Sequence, residues 1–151
     1  MKIKNYLKGL VEITTGPQQE YYKWILRYGR EYKVRQRGAK FQFKPRMKEC
    51  YRNSVLAHLE RGYPYCDGYV VFDNNIPIAI EHAFNLINER VIDTTADEFE
   101  FKSVEYFGII IPDDILEESM NHLYLTPLQL MFRRYLKLKN KSIEKNLKLK
   151  K

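Results

Sequence analysis

Residues 76–95 read IPIAIEHAFNLINERVIDTT, and this stretch decides the fold class of the chain. Two runs of strand-favouring residues flank the polar pair Asn88-Glu89, which suits a tight hairpin turn. His82 lies on the first predicted strand and Asp93 on the second, with the turn near the midpoint between them. Cβ atoms that face each other across an antiparallel pair are only about 4.5–5.5 Å apart. The hairpin therefore predicts that the Asp93 carboxylate orients the His82 imidazole.

A cysteine opens the helix that is predicted upstream of this hairpin. Residues 48–62 read KECYRNSVLAHLERG, a helical pattern whose end is marked by Gly62. Cys50 falls in the first turn, where the positive end of the helix dipole and an imidazolium partner both stabilise a thiolate. Cys50, His82 and Asp93 thus follow one another in the order of a cysteine-nucleophile site. A buried structural thiol is the alternative, because free cysteine is among the most buried residue types.

Further strands and helices are predicted on both sides of the hairpin. The patterns indicate strands over 68–72, 78–86, 90–93 and 106–111, with an acidic loop before the last of them. The Asp-Asn-Asn run at 73–75 is a second hairpin signal. Helices are predicted over 18–29, from Pro112, and from Thr126-Pro127 to Leu136. A helix followed by antiparallel strands is typical of the α+β class.

Five short runs in this region resemble the transglutaminase-like branch of the papain-like superfamily. They are CYRNS at 50–54, GYVV at 68–71, EHAFN at 81–85, VIDTT at 91–95 and YFGI at 106–109. In that branch, a cysteine at a helix start, a His-Ala-Trp element on one strand and an Ile/Val-Asp-Pro/Thr element on the next form a Cys-His-Asp triad. The resemblance covers roughly residues 48–111, which is well under half of the chain.

The resemblance implies a role for each residue of the triad. It makes Cys50 the nucleophile, His82 the general base and then acid, and Asp93 the residue that orients the imidazole. It also implies a papain-like core, with the nucleophile helix packed on a small antiparallel sheet and with added N-terminal and C-terminal helices. The sequence departs from the family pattern at Phe84, where tryptophan is usual, and at Thr94, where proline is frequent. Neither departure removes a reacting group, although Phe84 has no indole N–H.

An acyl-transfer site also needs hydrogen-bond donors for the oxyanion. A nucleophile at a helix start contributes its own backbone N–H, and a side chain just upstream would complete the set. Gln42 is the first candidate, because a glutamine a few residues before the cysteine serves this purpose in papain-like peptidases, and Gln36 is the second. An ordinary surface glutamine is the alternative. Asn53, one helical turn after Cys50, is expected to brace the turn by hydrogen bonding.

The segment 30–44 is basic and has aromatic residues interleaved. Together with the net charge of +7, it raises the question of an acidic partner. No helix-turn-helix, zinc-finger or ribonucleoprotein signature appears, so a nonspecific interaction or an acidic partner is favoured over specific readout of nucleic acid. The candidate binding residues are Arg35, Arg37, Lys40, Lys44 and Phe84.

Composition limits the remaining possibilities. The chain has 151 residues and 44% hydrophobic content, which predicts one globular α+β domain over 1–137 and a lysine-rich tail over 138–151, either helical or disordered. No stretch has the apolar length of a membrane span, and no signal-peptide pattern is present, so we expect no membrane partner and a cytosolic location. Cys66 is predicted to be a structural thiol, because a disulfide with Cys50 is not expected in a reducing cytosol.

Metal and nucleotide chemistry are disfavoured by the sequence. His58 and His122 show none of the spacings that are typical of zinc sites. The chain has only 7 glycines and no glycine-rich phosphate loop. We therefore predict neither a metal nor a cofactor.

The leading functional hypothesis is a small cytosolic thiol enzyme that acts on an amide or ester. Peptidase, deamidase and acyltransferase share the same steps, and pocket shape selects the acceptor. The substrate would be a peptide, a protein or a small acyl compound. The alternative is a non-catalytic binding module of the same fold that holds an acidic macromolecule, nucleic acid or a small metabolite.

Overall fold

A computed structural model describes residues 2–73 and 79–149, without the side chains at 103 and 104. The chain divides into two compact units, Met1–Ile110 and Ile111–Lys151. The prediction of one domain over residues 1–137 stays a prediction. The elements, in chain order, are α1 Lys2–Ile13, α2 Gly16–Tyr28, β1 Arg30–Tyr32, α3 Cys50–Arg61, β2 Tyr65–Phe72, β3 Ala79–Ile87, β4 Arg90–Ile92, α4 Thr94–Glu98, β5 Ser103–Ile110, α5 Asp113–Ser119 and α6 Pro127–Leu149.

The first unit is built on one antiparallel sheet. Its five strands have the order β1-β5-β2-β3-β4, and every neighbouring pair is antiparallel. With the helices of the described residues, this arrangement confirms the α+β class. The central strands β5, β2 and β3 are therefore the ones that have sheet neighbours on both sides.

The predicted β3–β4 hairpin is confirmed. Ile87 pairs with Arg90, so the loop consists of Asn88 and Glu89 alone. Both loop residues have positive φ angles, of 45° and 68°, which is the requirement of a type I′ turn. The second hairpin signal falls partly on Asn74 and Asn75, which lie outside the described residues.

An aromatic cluster fills one part of the first unit. Its buried members are Tyr32, Cys66, Val70, Phe84, Leu86, Val91 and Tyr106. The ring of Phe84 lies 5.0 Å from that of Tyr106 and 6.0 Å from that of Tyr32, measured between centroids. Phe84 is fully buried, so it builds the core, and its predicted contact with a binding partner does not fit this burial. Burial also raises the pKa of the Cys66 thiol well above its ordinary value, as expected for a structural cysteine.

Two glycines let the central strands approach closely at the level of His82. Gly68 pairs with His82 on one side and with Gly108 on the other. A Cβ atom on Gly68 would lie 2.1 Å from the carbonyl oxygen of Phe107. The strand that neighbours His82 therefore has no room for a side chain at this position.

Three elements were not predicted. Helix α1 occupies the N-terminal region and buries Ile3 and Leu7. The carboxylate of Glu105, from β5, accepts hydrogen bonds from the backbone N–H of Ile3 at 3.2 Å and of Lys2 at 3.1 Å. The predicted acidic loop contains α4, and the predicted basic segment contains β1. Strand β1 has three residues and helix α4 has five. The N-terminus of α1 is capped by Glu105, which is distant in the sequence.

The second unit consists of α5 and α6. Thr126 and Gln129 form a capping box at the start of α6, with the Gln129 N–H 3.2 Å from Thr126 Oγ1 and the Thr126 N–H 3.0 Å from Gln129 Oε1. Arg134 of α6 pairs with Glu118 and Asp114 of the preceding segment. Helix α6 continues through the described part of the lysine-rich tail to Leu149. Among the helices in residues 2–73 and 79–149, none has the length and apolar character needed to cross a membrane.

Candidate active site

His82 and Asp93 form a buried pair. The distance from His82 Nε2 to Asp93 Oδ2 is 2.8 Å, and the two residues are 5% and 1% exposed. The spacing predicted that Asp93 faces His82 across the ladder. This prediction was wrong, because β4 ends at Ile92, which pairs with Asn85. Asp93 is instead the N-cap of α4, where its Oδ1 accepts the backbone N–H of Ala96 at 3.0 Å. The helix cap therefore aims the carboxylate at the imidazole.

Tyr106 is a member of the site that the sequence did not reveal. Its hydroxyl donates to Asp93 Oδ2 at 2.7 Å. The carboxylate thus accepts hydrogen bonds from three groups, namely His82, Tyr106 and the backbone of Ala96. The signal that could have found it was the YFGI run at 106–109, but only the sheet order places β5 within reach of the carboxylate.

The thiol of Cys50 reaches the same imidazole. Cys50 is the first residue of α3 and is half-buried. Its thiol is close enough to His82 to help raise the pKa of the imidazole. Because Nε2 is committed to Asp93, Nδ1 is the ring nitrogen that is left for the thiol. The structure thus brings the three predicted residues together from α3, β3 and the start of α4.

The charges of the pair reinforce each other. Burial acts to lower the pKa of His82, but the charge of Asp93 and hydrogen bonds with Asp93 and Cys50 outweigh it and raise this pKa to about 10. Burial acts to raise the pKa of Asp93, but His82, the Ala96 N–H and Tyr106 hold it below its ordinary value. At neutral pH the site therefore contains an imidazolium next to a carboxylate, with the thiol on the other side of the ring.

Aromatic rings cover the imidazole. The ring of Phe72 meets His82 edge-on at a centroid distance of 5.7 Å. Phe101 packs against Phe72 at 5.3 Å. These contacts restrict the rotation of the imidazole and keep water from one of its sides.

Asn53 braces the site and does not offer a free amide. It is fully buried. Its Nδ2 donates to the Arg46 carbonyl and to Thr95 Oγ1, both at 2.9 Å, while its Oδ1 accepts the Arg46 N–H at 3.0 Å. This is the bracing that the sequence predicted, and it commits both ends of the side-chain amide.

The two candidate glutamines lie on the surface. The backbone N–H of Gln36 donates to the Val91 carbonyl at 2.8 Å, and that of Gln42 donates to Glu60 Oε1 at 2.7 Å. Within the described residues, neither side-chain amide makes a hydrogen bond. Gln42 lines a groove that also contains Thr94, the residue after Asp93, and it therefore remains the better oxyanion candidate.

Arg35 is not available to a partner in the way that the sequence suggested. Its guanidinium pairs with Asp97 at 2.5 Å and donates to the Phe101 carbonyl at 3.0 Å. Its side chain is only 9% exposed, because it ties the basic segment to α4. Arg37, Lys40 and Lys44 are exposed, so they are the predicted binding residues that solvent can reach.

A groove of about 370 Å³ is lined by residues 39–45 and by the start of α4, and we call it the 39–45 groove. One wall is the segment 39–45, which leads toward α3. The other wall is the start of α4, which follows directly after Asp93. The α4 residues that line it are Thr94, Asp97 and Glu98.

Known proteins give no independent guide to the function of this chain. No family model, no curated protein and no solved structure matches the chain. In the described part of the chain, no group of three or more His, Cys, Asp or Glu side chains is placed to hold a metal ion.

Proposed function

We propose that the protein is a cysteine-nucleophile enzyme that acts on the acyl centre of an amide or ester, on a papain-like core of the transglutaminase-like kind. One observation carries the proposal. The imidazole of His82 is hydrogen-bonded through Nε2 to the buried carboxylate of Asp93 at 2.8 Å, and the thiol of Cys50 is close enough to help raise the pKa of the same ring. A thiol next to an imidazole that a carboxylate orients is the arrangement that nucleophilic catalysis uses.

The proposed chemistry starts from a thiolate at Cys50 and an imidazolium at His82. The sulfur of Cys50, as thiolate, attacks the acyl carbon and forms a C–S bond. The imidazolium of His82 gives its proton to the leaving amine or alkoxide, and the C–N or C–O bond breaks. His82, now neutral, accepts a proton from water or an amine as that nucleophile attacks the thioester, and the C–S bond breaks. Asp93 keeps the ring in one orientation throughout.

The start of α3 supports the oxyanion. Glu49, at its N-cap, makes no side-chain cap hydrogen bond. Backbone N–H groups of the first helical turn have no partner within the helix, and Cys50 contributes one of them. We assign the oxyanion to this N–H, with Gln42 as the candidate side-chain donor. The substrate is a peptide, a protein or a small acyl compound, and we place the enzyme in the cytosol, where both cysteines stay as free thiols.

Selective alkylation tests the proposal. Iodoacetamide at neutral pH should modify Cys50 much faster than Cys66, because Cys50 is half-buried beside an imidazolium while Cys66 is fully buried. Peptide mapping by mass spectrometry gives the two rates. His82→Gln should slow labelling of Cys50 and leave Cys66 unchanged. Equally slow labelling of both cysteines would contradict the proposal.

Acyl transfer is the second test. With p-nitrophenyl acetate, the wild-type chain should release p-nitrophenol and carry an acetyl group on Cys50 that intact-mass measurement detects. Cys50→Ala should remove both signals, and Asp93→Ala should slow turnover strongly, because the imidazole can then adopt the wrong tautomer. Undiminished hydrolysis by Cys50→Ala would show that the thiol is not the nucleophile.

A further inference from the structure

Both walls of the 39–45 groove are close in sequence to triad residues. Thr94 in its wall directly follows Asp93, and the opposite wall runs into α3. Asn53 bonds to Arg46 and to Thr95, the neighbours of the two walls. Asn53, one helical turn from Cys50, thus links the chain next to one wall to the chain next to the other.

The segment that forms one wall is fixed in place. The Lys40 carbonyl accepts from Arg61 at 2.7 Å, and the Lys44 carbonyl accepts from Arg52 at 3.3 Å, both arginines belonging to α3. The Gln42 N–H is held by Glu60 of the same helix at 2.7 Å. A wall that is already ordered loses little conformational entropy when a ligand binds.

The floor of the groove contains two aromatic rings. Phe41 and Phe43 are half-buried, with ring centroids 5.2 Å apart. Phe41 also packs against Tyr63 at 6.1 Å and beneath the guanidinium of Arg61 at 5.5 Å. Partly exposed rings that cannot move aside are suited to contact an apolar side chain.

The groove lining contains two lysines and two carboxylates, and one of the carboxylates pairs with an arginine outside the lining. Lys40 and Lys44 line the groove and are exposed, and no ion pair to either is seen within residues 2–73 and 79–149. The acidic residue Asp97 is neutralised by Arg35 at 2.5 Å, which leaves Glu98 as the lining carboxylate without such a partner in the described residues. The groove is therefore complementary to a ligand with negative charge.

A second observation in the groove wall concerns the Thr94 hydroxyl. Thr94 is 4% exposed and lines the groove. Its Oγ1 is buried, and no hydrogen-bond partner for it is found in the described part of the chain. Buried polar atoms are nearly always paired, so an unpaired hydroxyl in a groove wall calls for an explanation. A main-chain N–H or C=O of a bound polypeptide would supply the partner.

We infer that the 39–45 groove binds an acidic stretch of polypeptide, with carboxylates at Lys40 and Lys44 and an apolar side chain on the aromatic floor. The inference rests on the proposed function, because it makes this stretch the part of an acyl substrate next to the reacting bond. A nucleic acid shares the negative charge, but it provides neither an aliphatic side chain for the floor nor an acyl centre for the thiol. The volume of about 370 Å³ lies at the small end of the range of about 300–1,000 Å³ for ligand sites.

Binding by the Cys50→Ser chain tests this inference without turnover. The probe is a fluorescein-labelled decapeptide of alternating glutamate and leucine, followed by fluorescence anisotropy. It should bind at least about tenfold more tightly than the matched peptide of alternating glutamine and leucine, and added salt should weaken it. The affinity for the glutamate peptide should fall about tenfold in Lys40→Gln/Lys44→Gln and also in Phe43→Ala. Thr94→Val should weaken binding with no change in its salt dependence.

The matched control is Lys137→Gln/Lys139→Gln, which removes the same charge from exposed positions of α6 and should bind the probe as before. Equal loss in the control, equal binding of the glutamine peptide, or no binding at all would overturn the inference. A single-stranded oligo-dT that binds as tightly, with the same loss in Lys40→Gln/Lys44→Gln, would show a general polyanion surface and would also overturn it. Peptide binding without thiol reactivity would refute the proposed function alone, whereas ester turnover without peptide binding would refute this inference alone.

Discussion

At the scale of single residues, the site depends on one carboxylate. Asp93 caps α4, accepts the Tyr106 hydroxyl and pairs with His82, so one side chain joins three elements of the first unit. Both members of the pair are almost fully buried. A buried ion pair is a weak source of net stability, but removing one member is costly because the other charge is left uncompensated.

The first prediction concerns pH and stability. The pKa of His82 is raised from 6.5 to about 10 in the folded chain, so folding takes up a proton between these values. The contribution of the pair to the free energy of unfolding is fully present below about pH 6.5 and is lost as the pH rises toward 10. On the acid side, the lowered pKa of Asp93 means that its contribution is lost only as the pH falls through the folded value.

Urea unfolding of wild type and Asp93→Asn measures this contribution. Asp93→Asn should lower the free energy of unfolding by about 3–5 kcal/mol near pH 6 and by clearly less near pH 10. Glu89→Gln is the control, since it removes an exposed partner of Arg30 and should have a small, nearly constant effect over this range. A difference between wild type and Asp93→Asn that grows toward pH 10 would contradict the charge assignment.

The second prediction concerns Tyr106. Tyr106→Phe removes the hydroxyl that donates to Asp93 Oδ2 at 2.7 Å, and a hydrogen bond to a charged group contributes about 1.5–3 kcal/mol. Unfolding should show a loss of this size, and esterase turnover should fall, because the carboxylate is then less firmly placed. Tyr32→Phe is the control in the same core cluster, and it should leave turnover unchanged. Equal turnover by both variants would assign Tyr106 a purely structural role.

The sequence predicted some residues of the site better than others. Cys50, His82 and Asp93 were predictable because each stands at a recognisable local position, a helix start or one side of a two-residue turn. Tyr106 was not, because its contact depends on β5 lying between β1 and β2 in the sheet. Arg35 was wrongly predicted to be available to a binding partner. Its ion pair with Asp97 could not be predicted, because Asp97 belongs to a short helix that follows β4.

At the scale of elements, the strongest local signals were the reliable ones. The Asn88-Glu89 turn was predicted correctly because strand-favouring runs flank this polar pair on both sides, although Glu89 at a φ of 68° is unusual for its residue type. Helix α4 was missed because it has five residues and forms mainly through its cap on Asp93. Helix α1 was missed because its apolar face is narrow, with only Ile3 and Leu7 buried.

The third prediction compares two glycines in different elements. Gly68→Ala should destabilise the chain by about 1–3 kcal/mol or more, because its Cβ would lie 2.1 Å from the Phe107 carbonyl oxygen in a packed sheet. Gly9→Ala in helix α1 meets no atom within 4 Å and should stabilise by about 0.5–1 kcal/mol. Thermal unfolding should therefore shift in opposite directions for the two variants. The close approach of β2 and β5 would be refuted by a neutral Gly68→Ala.

At the scale of the whole molecule, the charge and the candidate chemistry reside in different parts of the chain. The triad belongs to the first unit, Met1–Ile110, and the lysine-rich tail belongs to the second, Ile111–Lys151. Residues 138–151 contain six lysines and one glutamate, so they supply five of the seven net positive charges. The overall basic character therefore says little about the groove, whose charge comes from Lys40 and Lys44.

The last prediction uses this separation. Deleting residues 138–151 removes side chains that are exposed at every described position, so the free energy of unfolding should change by no more than about 0.5 kcal/mol. Labelling of Cys50 by iodoacetamide and turnover of p-nitrophenyl acetate should be unchanged, because no triad residue lies in the deleted segment. Nonspecific binding to oligo-dT should weaken markedly and lose much of its salt dependence, because five net positive charges are gone. If the deletion instead abolished thiol reactivity while leaving the unfolding transition intact, the triad alone would not account for the chemistry, and the tail would have to take part in it.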